Sequence, residues 1–435
     1  MKMREISRGA DKKLSVNNNL KTFVLAKSIV AHFGVPTLFV ANKKSLLDDA
    51  VETFKTGIVG VSKGDIAQIK DGQFGETKLT KDTESASPIK APIVVATIQS
   101  LHARIKDERT REAMLHWLRN VCKLVMIDET QAIGTKTWDE VLEECHAPYR
   151  VALSATPRRT DGATIKLQAY TGPWLYSTTA EKQIEQGRLC ELDIRYIPFD
   201  HKLYNESDQD VDYGDMYNFC VVENDERNRE CIVKPTMEML EEGRHVLVLI
   251  MRIEHGQVLH SMFMEAGLSP DEVKFVWGET SDKRRTEAIQ DFRLGKIKVM
   301  IGSVIFDAGV NVPIISGVVL GGAGNSDITH IQRIGRGART VDYEKVLGYT
   351  PAFMQGKSEK TTLVYDIIDQ NTKFFKKQSL NRYYNARDEF GRNRVSIVGG
   401  DHNVLKKASK RTTENTKQVD QLSAQLEMLR EFSEK

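Results

Sequence analysis

No part of the 435-residue sequence approaches the ~20 consecutive apolar residues that a bilayer-crossing helix needs. The basic N-terminus, MKMREISRGADKK, also lacks the apolar core of a secretory signal. The chain therefore reads as soluble and cytoplasmic. Cysteine is scarce and scattered. Its five copies (Cys122, Cys145, Cys190, Cys220 and Cys231) form no C-x-x-C pair, which argues against a zinc site or a disulfide framework. An excess of one charge sign is missing too. The 62 Lys and Arg against 60 Asp and Glu leave a formal charge of +2, so any case for a nucleic-acid partner must rest on local patches. No repeat of solenoid period is present. What remains is a globular composition, 40% hydrophobic, in a chain too long for one ordinary core.

Another lack is local. SVNNNLKT (15–22) closes on the Lys-Thr of a phosphate-binding loop, G-x-x-x-x-G-K-[ST], but Ser15 and Leu20 stand where its two glycines belong. Glycine serves there because the loop turns through positive φ and brings backbone amides against phosphate with no Cβ in the way. Lys21 still offers charge, and Thr22 a hydroxyl for Mg²⁺. KTFVLAKSIVAHF, closed by Gly34, reads as a helix.

Short apolar runs alternate with helical patterns along most of the chain, as in βαβ units with parallel sheets. PTLFVAN (36–42), APIVVAT (91–97), KLVMIDE (123–129) and YRVALSAT (149–156) read as one series of buried strands. HVLVLIM (245–251), VKFVWG (273–278), IKVMIGS (297–303), SGVVLGG (316–322) and TTLVYDII (361–368) form a second. The fold class is α/β, with two doubly wound parallel-sheet domains in tandem. The expected division is a first domain over 1–195, a linker over 196–230, a second domain over 231–398 and a charged, partly helical tail over 399–435.

The chemistry gathers at strand ends. Asp128 and Glu129 stand side by side after a buried strand, which suits one carboxylate to Mg²⁺ through water and the other to polarising an attacking water. A bare pair of acids is more often a surface turn, but a second strand soon ends in SATPRR, placing Ser154 and Thr156 at the same sheet edge. HIQRIGRGART (330–340) is the strongest single signal. If it is helical, Gln332, Arg336 and Arg339 share one face. Unbalanced arginines of this kind call for an anion, and guanidinium suits a transferring phosphate because its planar fork never loses its charge.

An acidic motif, then S-A-T, then Q-x-x-G-R-x-x-R in a second α/β domain resembles the superfamily 2 helicases. The wider pattern is similar to the phage-type group of UvsW-like recombination and branch-migration helicases. PTLFVANKKSLLDDAVETF, IVVATIQSLHAR, LSATPRRTDG, VVENDERNRECI, SVIFDAGVNVP and the segment 365–390 carry the likeness in order, from about Lys21 to Arg394. The resemblance implies two RecA-like domains closing around ATP and Mg²⁺. It gives Asp128 and Glu129 to metal and water activation, with Gln131 near the γ-phosphate and Gln332, Arg336 and Arg339 reaching the nucleotide. Lys21, Thr22, Asp307 and Gly309 would bind nucleotide, with Thr22 and Asp128 serving the metal through water. Ser154 and Thr156 would couple hydrolysis to movement. Lys43, Lys44, Thr97, Gln99 and Ser303 would grip nucleic acid, DNA above all, through its backbone and so without sequence preference.

Departures from that family are concentrated at the start. Its members carry a strand directly before the phosphate loop, whereas residues 1–14 show no strand-like run, so the expectation is a truncated or frame-altered helicase with an incomplete N-terminal strand. Asn311 and Ala308 also replace acids usual in the group. In KFFKKQSLNRYYNAR (373–387) the cations could track a backbone while Phe374, Phe375, Tyr383 or Tyr384 stack on bases; the alternative is that the aromatics pack inward. The functional expectation is an ATP-dependent helicase or translocase of a bacterial or phage-infected cell. Its alternatives are a hydrolysis-incompetent nucleic-acid-binding remnant and the motor subunit of a restriction-type complex.

Overall fold

The computed structural model describes residues 18–41, 45–70, 73–78, 84–128, 130, 133, 135–154, 164–173, 175–200, 212–303, 312–322, 324 and 326–400, with the backbone alone for 18–24, 45, 77, 164–166 and 282. The chain divides into two compact units, Met1–Thr178 and Thr179–Lys435.

In the first unit the strands are β1 (Thr37–Ala41), β2 (Ile66–Lys70), β3 (Gln73–Gly75), β4 (Thr77–Lys78), β5 (Ile93–Thr97), β6 (Leu124–Asp128) and β7 (Tyr149–Leu153). They lie in the order β4-β3-β2-β5-β1-β6-β7, parallel except for the short β3 and β4 hairpin at one margin. β1, β5 and β6 are buried throughout, as apolar runs covered on both faces must be. Helix Asn18–Phe33 covers one face, with Ala26 and Val30 packed among Phe39, Leu47 and Phe54. It starts three residues before the expected Lys21, so Asn18 to Leu20 are helical. Gly34 closes it in the left-handed region at φ 57°, its amide bonding to the Val30 carbonyl. Trp117, Leu118, Trp138 and Leu142 fill the other face. Among the described residues β7 ends the sheet, and its side chains are less buried than those of β6.

Seven strands of the second unit run wholly parallel: β8 (Glu191–Phe199), β9 (His245–Leu249), β10 (Val273–Val276), β11 (Val299–Gly302), β12 (Ile315–Leu320), β13 (Thr361–Asp369) and β14 (Val395–Ile397). Their order is β10-β11-β9-β12-β13-β8-β14. This corrects the expected division. Residues 191–199 form an inner strand of the second sheet, where the sequence reading ended the first domain at 195 and began a linker at 196. The strand alternates, with Leu192, Ile194 and Tyr196 in the core and charged residues on the other face between them, so it shows no continuous apolar run. Residues 213–217 and 225–228 are helical and belong to the same unit, so they too are no linker. Of the expected tail, 399–435, residues 401–435 lie outside the described residues. No helix among the described residues is long and apolar enough to cross a membrane.

Candidate nucleotide and nucleic-acid sites

Strand register gathers the first unit's candidates on one edge. Ala41 pairs with Thr97, Val40 with Ile127, and Asp128 with Leu153, so the carboxyl ends of four parallel strands stand together. Asp128 ends β6 and is buried, and Ser154 follows β7 directly. In open α/β sheets this edge is where ligands bind. Thr97 and Gln99 divide in role. Thr97 is buried and caps helix Ile98–Lys106, its hydroxyl accepting from the Ser100 amide at 3.1 Å, whereas Gln99 is exposed. The side chains of Lys21 and Thr22, and Lys43, Lys44, Glu129, Gln131, Thr156, Asp307 and Gly309 entirely, lie outside what is described.

In the second unit Ser303 follows β11 and is buried at the carboxyl edge. The arginine motif lies elsewhere, beside the start of β13. The expectation of one helical face is corrected there. The helix Asp327–Ile334 contains Gln332, but Arg336 and Arg339 lie beyond it. Three successive amides, of Arg336, Gly337 and Ala338, bond to carbonyls three residues back, a tight turn that the two glycines permit. Gly337 sits so close to β13 that a Cβ would stand 2.5 Å from Thr362 Cγ2. Arg333, which sequence reasoning left aside, is buried and donates to the Gly322 carbonyl at 3.1 Å.

The turn buries one guanidinium near two others. Arg339 is 3% exposed, and burial first, then the positive charges of Arg336 and Arg293, pull its guanidinium down to about 9. Like charges brought together at a buried position oppose one another, and an arriving phosphate would relieve that opposition. Arg293 ends the helix Asp282–Arg293, and nothing in its local sequence marks it. Each unit offers its own chemistry: in the second the guanidiniums suit phosphate oxygens, and in the first a carboxylate at a strand end suits a water-shelled Mg²⁺. Among the described residues no cluster of His, Cys, Asp or Glu would hold a metal by direct ligation.

A buried network fixes the motif helix. His330 Nε2 lies 3.0 Å from Asp366, whose carboxylate also accepts two bonds from Arg382, and the Tyr196 hydroxyl donates to the Arg382 carbonyl at 3.1 Å. In helix Lys373–Phe390, Phe375 and Tyr383 are buried while Phe374 is 47% exposed. Inward packing therefore accounts for two of the four candidate stacking rings, and Phe374 is left on the surface.

Comparison with known proteins agrees with this geometry. Residues 21–159 match the family described as type III restriction enzyme, res subunit, and residues 229–341 match the helicase conserved C-terminal domain. The chain belongs to the superfamily 2 helicases. A helicase-named protein of a Sulfolobus islandicus filamentous virus is 28% identical over 254 residues, which are 56% of this chain and 44% of that protein. DNA 3'-5' translocase XPB2 of Sulfurisphaera tokodaii is 22% identical over 291 residues, 59% of this chain and 62% of that one. The match thus spans less than two thirds of either relative. The structure of Saccharomyces cerevisiae Dbp5 bound to RNA and ADP BeF3 superposes with a TM-score of 0.53 at 16% identity, over 88% of this chain and 83% of that one. At that identity the likeness speaks for the fold, two tandem RecA-like helicase domains.

Proposed function

We propose that this superfamily 2 helicase is an ATP-dependent translocase or helicase that acts on DNA without regard to sequence, separating strands or migrating branches. The observation that carries the reading is the match of residues 21–159 and 229–341 to the two helicase-type families, with Asp128 buried at a strand's carboxyl end and Arg339 buried in the motif turn. Arg336 and Arg339 would donate to phosphate oxygens as charge moves onto them, with Gln332 beside them. Asp128 would hold Mg²⁺ through water, Glu129 would polarise the attacking water, and Gln131 would lie near the γ-phosphate. Lys21 and Thr22 would meet the nucleotide's phosphates and metal, and Asp307 and Gly309 its remainder. The metal supplies charge neutralisation on the phosphate oxygens when bound. Ser154 and Thr156 would pass the nucleotide state to Lys43, Lys44, Thr97, Gln99 and Ser303, which would grip the backbone. DNA is favoured because a relative is named as a DNA translocase. A second reading, the motor subunit of a restriction-type complex, draws on the family matched by residues 21–159.

The test is DNA affinity with and without a non-hydrolysable ATP analogue, over a series of salt concentrations. Binding that falls steeply with salt and changes at least about fivefold with the analogue supports the reading. Salt-sensitive binding indifferent to nucleotide would leave the hydrolysis-incompetent remnant instead.

A further inference from the structure

Lys360 lies just before β13 and is 3% exposed, yet among the described residues its ammonium meets no carboxylate. Its Nζ donates to three backbone carbonyls, those of Pro313 at 3.0 Å, Gly337 at 2.9 Å and Arg339 at 2.8 Å. An ammonium carries three N–H donors, so its capacity is matched to these acceptors. Two of the three belong to the turn that carries Arg336 and Arg339. The same turn is held from two more directions. Thr362 Oγ1 donates to the Gly337 carbonyl at 2.8 Å, and the Cys190 amide donates to the Ala338 carbonyl at 3.0 Å.

Burying a cation without a countercharge is costly, and a methionine of similar length would fill the space without that cost. What the ammonium adds is a fixed position for carbonyls that a glycine-containing turn would otherwise leave free to rotate. Burial first, opposed by Cys190 and reinforced by the charges of Arg339 and Arg244, holds the ammonium down to about 8.

We propose that Lys360 is a positioning residue, its ammonium clamping the 337–339 backbone so that Arg336 and Arg339 are presented to phosphate in one fixed geometry. The proposal rests on reading those arginines as phosphate-binding. A shift of about an ångström in such a group is enough to lower turnover by about a hundredfold, and this is the means by which a residue that touches no substrate would act.

The experiment compares the full chain with Lys360→Met, Thr362→Val and Arg339→Ala, reading DNA-stimulated ATP turnover and amide hydrogen exchange. In Lys360→Met, kcat is expected to fall at least about tenfold while KM for ATP moves less than about threefold, a split that a loss of folded protein would not produce. Exchange over 335–340 is expected to rise at least about tenfold, with β9 unchanged. Thr362→Val, which removes one donor to the Gly337 carbonyl, should move both readouts the same way by a smaller factor. A folded Lys360→Met with native kcat and native exchange overturns the clamp. If that variant does not fold, native values in Thr362→Val overturn it instead. If Arg339→Ala retains full turnover, or the wild-type chain has none, the reading of the arginines fails, and the exchange measurement alone then decides the clamp.

Discussion

Arg227 and Asp369 form a bidentate ion pair, Nε to Oδ1 at 2.6 Å and Nη2 to Oδ2 at 3.0 Å, with both residues buried. The remaining Arg227 nitrogen, Nη1, donates to the Gly321 carbonyl at 2.9 Å, so the pair ties helix Asp225–Asn228 to the ends of β12 and β13. Removing one partner strands the other as a buried charge. Asp369→Asn and Arg227→Met should each destabilise the second unit by about 3–5 kcal/mol in urea unfolding, and the double substitution by less than their sum. Additive losses would show that the pair is not a coupled unit.

Stability should fall on mild acidification because of buried histidines. Burial first and Arg227 second hold His255 down to about 3, and burial likewise lowers His245 and His330, the latter against the opposite pull of Asp366. The unfolded imidazole titrates near 6.5, so below that pH the unfolded chain takes up protons the folded chain refuses. Stability is fully present above the unfolded value and is lost toward the folded one, by up to about 1.4 kcal/mol per pH unit for each such histidine. Urea unfolding between about pH 6.5 and 5, above the ordinary carboxylate range, should show this slope, and His255→Gln should reduce it. A slope the same in both proteins would assign the effect to other groups.

Gly337 explains one of the two glycines in the arginine motif. A Cβ there would stand 2.5 Å from Thr362 Cγ2 and 3.1 Å from Val318 Cγ2, so Gly337→Ala should cost about 1–3 kcal/mol and lower turnover with it. Adding Thr362→Ser removes the clashing methyl but keeps the hydroxyl that binds the Gly337 carbonyl. Recovery of stability in the double variant is expected, and its absence would place the strain elsewhere.

Thr97 and Gln99 separate fold from function. Thr97→Val should lose the helix cap and about 1 kcal/mol of stability, while Thr97→Ser keeps both. The exposed Gln99→Ala should leave stability within about 0.5 kcal/mol and weaken DNA binding. Unchanged DNA affinity in Gln99→Ala would remove that residue from the interface.

The parts of the fold legible in the sequence were those with one-letter monotony. β1, β5, β6, β9 and β12 are near-continuous apolar runs because they are covered on both faces, and their ends were read within two residues. β8 was missed because Glu191, Asp193 and Arg195 on its other face alternate with the buried residues and break the apolar run, and β3 and β4 because they have three and two residues. Among the candidate site residues, those whose type implies a partner, such as Asp128 and Arg339, were marked by the sequence. Lys360 and Arg293 were not, because a lysine between strands or an arginine ending a charged helix looks like any surface cation. Only the pairing of β12 with β13 shows what Lys360 faces.

The most direct test of the central claim is steady-state ATP hydrolysis by the full chain, with and without single-stranded and duplex DNA, beside Arg339→Ala and Glu129→Gln. DNA-stimulated turnover, lowered about a thousandfold or more in Arg339→Ala and abolished in Glu129→Gln, is the expected result. Turnover that ignores DNA, or that survives the loss of Arg339, would contradict it.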